Sequence, residues 1–307
     1  MNQKTNEFNG ILDFLQMYGN EQKCVELLEK IRWNGKPICF HCGNSEGIYR
    51  LQGGKLLKCS KCRKRFSVRQ GTIFEESRLP LSKWYYAIYI FSNHKKGISS
   101  VQLAKDLKVT QKTAWFMLGR VRYAMKSKSF NKPLEGVIEA DESYFGSKPR
   151  KGDGKIHKKG RGTEKQPVFG MIQRGGNVIA MPVEKVNATT LKGEIRKHVK
   201  KGSYILTDEW QAYQGLNRNR EYGHLTVNHG AGEYEHNGVH VNNMENFWSQ
   251  MKRGIFGIYH HASKKHMARY AHEFAYRHNT RGESDTQRFN TTLENINGRL
   301  TYEELIK

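Results

Sequence analysis

The sequence predicts an α/β protein assembled in series: a small metal-stapled module, a helical module, and a larger domain in which strands alternate with helices. Three observations predict it. Two Cys-x2-Cys pairs, Cys39 with Cys42 and Cys59 with Cys62, stand 16 residues apart. Residues 80–126 carry apolar side chains at helical spacing. From Gly136 onward short β-like runs dominate, up to an amphipathic helix at 241–255. The expected bounds are a helical segment at 1–35, a zinc ribbon at 36–72, a helix-turn-helix region at 78–130, a catalytic-type α/β domain at 135–285 and a tail at 286–307.

Charge narrows the partners. The 307 residues hold 52 Lys and Arg against 29 Asp and Glu, a formal net charge of +23. Such an excess attracts polyanions, so nucleic acid is the first partner to consider and an anionic membrane surface the second. The membrane reading fails, because no apolar run approaches the roughly 20 residues that a spanning helix needs. The first residues also lack the apolar stretch of a secretory signal. A cytoplasmic, nucleoid-associated setting is therefore expected, with the five cysteines reduced and available as thiols or metal ligands.

Residues 8–33 carry Phe8, Ile11, Leu12, Leu15, Val25, Leu27, Leu28 and Ile31, the spacing of one or two short helices, with Cys24 as a small core residue. The paired knuckles that follow complete a tetrahedral zinc site from Cys39, Cys42, Cys59 and Cys62. His41 is not needed as a ligand, since four thiolates fill the sphere. The residues between the knuckles read as a hairpin, and the run Arg63 to Arg69 offers cations to phosphates or to solvent.

Helices are expected from Leu81, from Ser99 and from Gln111, the last two joined by a short link at 108–110. In a helix-turn-helix the second helix enters the major groove by its first residues, here Thr110, Gln111, Lys112 and Thr113. Val101, Leu103, Ala104, Leu107, Val109 and Trp115 are the expected packing positions. Strands are then expected at 137–140, 168–173, 178–183 and 204–207, with a helix at 188–200 capped by Asn187. The segment 147–165 holds eight Lys or Arg and almost nothing apolar. It reads as a basic surface loop whose Lys155, Lys158 and Lys159 meet DNA phosphates without reading bases.

Chemistry concentrates at three acids. Asp141 and Asp208 sit at the ends of β-like runs, and Glu245 lies on the 241–255 helix. On that helix Met244, Phe247, Trp248, Met251 and Ile255 form one apolar stripe, while Glu245, Ser249 and Lys252 share its edge, with Arg253 beside them. Three strands, a helix, a fourth strand with the second aspartate and a helix with the glutamate follow the order of a ribonuclease H-like fold. Carboxylates suit hard cations such as Mg²⁺ or Mn²⁺. Two such ions about 3.5 to 4 Å apart activate an oxygen nucleophile and stabilise the leaving oxygen at phosphorus. In this reading Asp141 bridges the ions, Asp208 and Glu245 hold the flanks, and Lys252 and Arg253 meet DNA phosphates. Glu142 and Glu209 follow the aspartates and face the opposite way. His229, His236 and His240 read as loop or DNA-contact residues rather than ligands. In the last long helix Met267, Tyr270, Ala271 and Phe274 are expected in the core, with His266, Arg269 and Arg277 on the outer side.

The chain resembles the bacterial insertion-sequence transposases of the DDE type, in the ISXO-like group related to Merlin transposons. The resemblance rests on Cys24 with Arg32 and Trp33, the two knuckles, and residues 139–146, 207–210, 241–248, 252–255 and 257–260. It implies a metal-dependent enzyme that binds terminal inverted repeats as at least a homodimer, cleaves the ends and transfers the strands to target double-stranded DNA. It also implies a catalytic triad of Asp141, Asp208 and Glu245, with Asn242 or Asn243 as rival to Glu245 because some relatives carry Asn there. Two other functions fit the same modules: a non-catalytic DNA-binding regulator derived from a transposase, and a host nuclease of ribonuclease H-like fold.

Overall fold

The computed structural model describes residues 7–129, 132–146, 163–217, 220–227 and 240–307. Its elements, in chain order, begin with α1 (Ile11–Tyr18), α2 (Glu21–Trp33), β1 (Ile48–Leu51), β2 (Leu56–Cys59) and β3 (Arg65–Phe66). Next come α3 (Leu81–Asn93), α4 (Ser100–Leu107), α5 (Gln111–Ser129), β4 (Val137–Phe145), β5 (Gln166–Gln173) and β6 (Val178–Pro182). The chain closes with α6 (Ala188–His198), β7 (Tyr204–Asp208), β8 (Gly223–Val227), α7 (Asn242–Gly254), α8 (Met267–Asn279), α9 (Asp285–Glu294) and α10 (Tyr302–Ile306). It divides into two units, Met1–Ala124 with Glu283–Lys307, and Met125–Gly282. Among the described residues no helix is long and apolar enough to cross a membrane.

In the first unit, β1, β2 and β3 form a three-stranded antiparallel sheet around the knuckles. The forked guanidinium of Arg50 ties that sheet to α2 by two bonds to the buried Glu29, at 2.9 and 2.6 Å. Cys24 is fully buried, and its thiol donates to the Tyr18 carbonyl at 3.2 Å. Burial pushes that thiol up to about 12, as befits an inert core residue.

Ser99 caps α4, and Lys108, in the left-handed region at φ 50°, ends it. Thr110 then caps α5 by accepting from the Thr113 N–H at 3.2 Å. Leu103, Ala104 and Leu107 are buried as expected, whereas Val101, expected to pack, is 54% exposed. It lies in the first turn of α4, which buries only Leu103, Ala104 and Leu107.

Residues 286–307, read from the sequence only as a tail, form α9 and α10 and belong to this unit. Phe289 of α9 is buried among Phe8, Phe14, Tyr18 and Tyr85, with ring centroids 5.2 to 5.8 Å away. The Arg120 guanidinium, also buried, donates to the carbonyls of Leu300, Ile73 and Glu75.

The second unit is a five-stranded sheet in the order β6-β5-β4-β7-β8. β4, β5 and β6 run antiparallel in succession, while β4 with β7 and β7 with β8 are parallel. Alternation along β4 sends Ile138 and Ala140 to one face, among Leu191 and Ile195 of α6. The other face packs Phe145, Val168, Val178 and Ala180 against Met244, Phe247, Trp248, Met251 and residues of α8. The predicted apolar stripe of α7 is thus buried as a whole.

Two strand expectations change. β4 runs four residues past Asp141, because Glu142, Ser143, Tyr144 and Phe145 pair with β5, so Asp141 lies inside a strand rather than at its end. The edge strand β8 was not anticipated.

Gly170 pairs with Asp141 across β4 and β5, and a Cβ there would lie 2.3 Å from Met244 Cε and 2.7 Å from Trp248 Cζ2. Only glycine lets α7 approach so closely. Gly170→Ala is therefore expected to destabilise the sheet unit by about 1–3 kcal/mol through overpacking, read as a lower Tm with an altered tryptophan near-UV signal. An unchanged Tm would mean that α7 has room to retreat.

Candidate active site and zinc centre

The zinc centre is the better defined of the two. The Sγ atoms of Cys39, Cys42, Cys59 and Cys62 all lie within 4.8 Å of one another. Cys39 to Cys62 is 3.6 Å and Cys42 to Cys59 is 3.7 Å. Disulfide sulfurs sit about 2.05 Å apart, whereas a tetrahedron with Zn–S bonds of about 2.3 Å has edges near 3.8 Å. The donor set and its spacing fit zinc. Within the cluster, backbone N–H groups of Cys62 and Lys61 hold the Cys59 thiol down to about 6, while burial and the neighbouring thiols push Cys42 up to about 11, so metal binding must displace protons from the site. His41 is not a ligand: its Nε2 lies 3.1 Å from the Arg65 carbonyl oxygen.

The carboxylate site is built on β4 and β7. Their parallel register pairs Val137 with Tyr204, Ile138 with Ile205 and Glu139 with Leu206. Continued two residues, the same register sets Asp141 level with Asp208, on the sheet face that α7 covers. Neighbouring strands are about 4.8 Å apart, so the two carboxylates feel each other's charge. Burial, then the charges of Glu142 and Asp208, raise the Asp141 carboxyl to about 7, with partial relief from the Trp248 hydrogen bond. Trp248 Nε1 donates to Asp141 Oδ2 at 3.0 Å, and the backbone N–H of Trp210 donates to Asp208 Oδ1 at 3.2 Å. Two neighbouring carboxylates, one of them held up by burial and adjacent negative charge, make an oxygen donor set suited to a hard divalent cation.

Glu245 lies in the first turn of α7, exposed, three residues before Trp248. Among the described residues, the four thiols are the one group of three or more such ligands close enough to share an ion. The three carboxylates do not converge in that way. Lys252 and Arg253 are exposed farther along α7, and Arg253 Nε donates to the Ser249 carbonyl at 3.3 Å. Gln111 and Lys112 are exposed at the start of α5, with Thr113 half-buried. Gln111 donates to Ser100 Oγ at 2.7 Å, and the Lys112 ammonium lies 4.8 Å from the Tyr302 ring centroid. Lys155, Lys158 and Lys159, with most of the basic loop, and His229 and His236 lie outside the described residues.

What positions α7 was not foreseen. Its N-cap residue, Val241, offers no side-chain acceptor. Glu139, fully buried on β4 two residues before Asp141, supplies one instead. Glu139 Oε2 accepts from the N–H groups of Asn243 and Met244 at 2.9 and 3.1 Å. Its other oxygen accepts from Asn243 Nδ2 at 2.7 Å and Arg174 Nε at 2.8 Å, and Arg174 also donates to the His240 carbonyl at 3.0 Å. A carboxylate at a helix N-terminus satisfies orphan donors and complements the dipole. Asn243, the rival ligand, thus has its side-chain amide donating to Glu139. One signal was present in the sequence: a glutamate sharing the strand face of Asp141 is buried there, and a buried carboxylate demands partners.

Arg277, expected on the outer side of α8, is instead nearly buried and ion-paired at 3.1 Å with Glu273, which is fully buried. Met267, Tyr270, Ala271 and Phe274 are in the core as expected. Glu142 faces away from Asp141 and accepts from the Tyr213 hydroxyl at 2.9 Å.

Removing the carboxylate that clamps α7 should be costly. Glu139→Ala leaves two helix N–H groups and Arg174 without their acceptor, an expected loss of about 3–5 kcal/mol, whereas Glu139→Gln should lose less. Thermal unfolding of the two variants checks it; equal and small shifts for both would remove the clamp from the account.

Residues 133–279 match the ISXO2-like transposase domain family, and residues 19–65 match the transposase zinc-ribbon domain family. An uncharacterised protein of transposable element ISH50 from Halobacterium salinarum is 28% identical over 295 residues, covering 91% of this chain and 98% of that protein. An uncharacterised transposase-like protein of Haemophilus influenzae is 30% identical over 102 residues, which is 33% of this chain and 80% of the relative. The solved Mos1 transposase paired-end complex with left transposon end is 15% identical, with 71% of this chain and 80% of that chain covered, at a TM-score of 0.25. That likeness is too slight to add to the fold. The zinc centre, the α/β sheet unit, the two domain matches and the transposase-like relatives agree: the chain belongs to the insertion-sequence DDE transposases, with its ISXO2-like domain at residues 133–279.

Proposed function

We propose that the chain binds the terminal inverted repeats of its element, cleaves the ends and joins their 3′-hydroxyls to target DNA, with Asp141, Asp208 and Glu245 as the catalytic carboxylates. The observation that supports this reading is the parallel register of β4 and β7, paired up to Glu139 and Leu206 two residues before Asp141 and Asp208, together with the Trp248 hydrogen bond that joins Asp141 to the helix bearing Glu245. The strand order β6-β5-β4-β7-β8, with only the first three antiparallel, supports a ribonuclease H-like architecture.

When bound, a pair of Mg²⁺ or Mn²⁺ ions supplies an activated oxygen nucleophile and a stabilised leaving oxygen. Asp141, Asp208 and Glu245 would hold the ions. The chain's own work is orientation. Trp248 and Trp210 each fix one aspartate's rotation by a hydrogen bond, and the Glu139 clamp fixes the start of the α7 helix two residues before Glu245. Lys252, seven residues after Glu245 on the same helix edge, serves as a point charge for a substrate phosphate.

α4, its turn and α5 are read as a helix-turn-helix, with Gln111, Lys112 and Thr113 at the groove-entering end. Lys155, Lys158, Lys159 and Arg253 meet phosphates. Two ends handled together call for at least two copies of the chain on DNA.

The test is to incubate the purified chain with Mg²⁺ or Mn²⁺ and a duplex ending in the element's repeat, separating cleaved from joined products. Metal-dependent joining is expected. Cleavage without joining would favour a host nuclease, and binding with neither a regulator.

A further inference from the structure

The outward face of the ribbon sheet carries a row that zinc binding does not explain. The register pairs Tyr49 with Lys58 across β1 and β2, and Lys58 with Arg65 across β2 and β3. Directly opposed residues share a face, so the three side chains stand in line, about 10 Å from first strand to third. The opposite face is the packed one, with Leu57, Cys59 and Phe66 buried. Tyr49 is 59% exposed, and Lys58 and Arg65 are exposed beside it.

A single exposed tyrosine is ordinary. An exposed ring in register with two cations is less so, and the local charge is one-sided: residues 48–66 contain seven Lys or Arg and no Asp or Glu. Arg50 is committed to Glu29. A zinc ion with four thiolates carries about −2, which offsets two more cations and still leaves a positive face.

We propose that this face binds single-stranded DNA, with Tyr49 stacking on an unpaired base and Lys58 and Arg65 holding the flanking phosphates. A duplex keeps its bases stacked inside and would offer the row only phosphates, so the ring gains from a strand whose bases are splayed out. Strands are freed when an element's end is cleaved. The inference rests to that extent on the transposase reading, although the binding itself does not require catalysis.

The test uses the full chain and a labelled oligo-dT of about a dozen nucleotides, long enough to span several bases and phosphates on either side of the ring. Tyr49→Ala is expected to weaken binding about tenfold while leaving zinc content and duplex affinity within about twofold. Tyr49→Phe and Tyr49→Trp should restore it, and Tyr49→Leu should not. Lys58→Ala with Arg65→Ala should lower the salt dependence by about 0.7 units of slope per lost contact. Unchanged single-strand affinity in Tyr49→Ala, rescue by leucine, an equal loss on duplex, or tighter binding of an oligoribonucleotide would each overturn the proposal. Failure of strand joining by the unsubstituted chain would instead fail the transposase reading and leave this result standing.

Discussion

Cys59→Ser, or chelation of the reduced protein, is expected to unfold the ribbon and leave the sheet unit standing. The ribbon is two short hairpin strands and a two-residue third strand, with Leu57 and Phe66 as its main buried apolar side chains. Such a core is too small to fold unaided. Structural zinc contributes roughly 10–16 kcal/mol of apparent binding free energy to folding, far more than those two side chains supply. The loss should reach α2, because Glu29 bonds Arg50 and Trp33 packs on Phe66 with ring centroids 6.0 Å apart. Hydrogen exchange should show protection lost over 36–72 and in α2, and retained in β4 to β7. Freshly purified, reduced protein should hold one zinc per chain. Protein without zinc, or with unchanged exchange after chelation, would refute this part.

Asp141→Ala, Asp208→Ala and Glu245→Ala are each expected to abolish metal-dependent cleavage and joining while leaving end binding largely intact. Metal ligands act on developing charge at phosphorus and are worth several kcal/mol there, which is about three factors of ten or more in rate. Asn243→Ala sets the contrast. Its amide donates to Glu139 at 2.7 Å, so its loss should loosen α7 and lower the rate by a lesser factor that tracks the drop in Tm. If Glu245→Ala still cuts and Asn243→Ala does not, the third ligand has been misassigned.

The parts legible in the sequence were those with a local signature. The knuckle spacing specified four thiols that do meet, and the helical period of 244–255 specified a stripe that is buried at every position. What escaped depends on contacts distant in sequence. β4 continues beyond Asp141 through polar residues because β5 pairs with it, and no local pattern records that pairing. β8 is a five-residue edge strand whose His224, Leu225 and Thr226 are not buried, so it shows no apolar alternation. The return of α9 to the first unit is settled by aromatic packing of Phe289 against residues some 200 to 280 positions earlier. Trp248 was read only as core, although its indole N–H, once buried, required an acceptor, and Asp141 is that acceptor. Glu139 was seen as part of a motif without a task, since the helix that it clamps begins 103 residues later.

The central claim is that Asp141, Asp208 and Glu245 form one metal centre. Anomalous scattering from crystals of the chain grown with Mn²⁺ and a terminal-repeat duplex tests it most directly. The account predicts two peaks about 3.5–4 Å apart, with Asp141 touching both and Asp208 and Glu245 each touching one. Peaks away from Asp141, or a centre completed by Asn243 or Glu139 in place of Glu245, would contradict it.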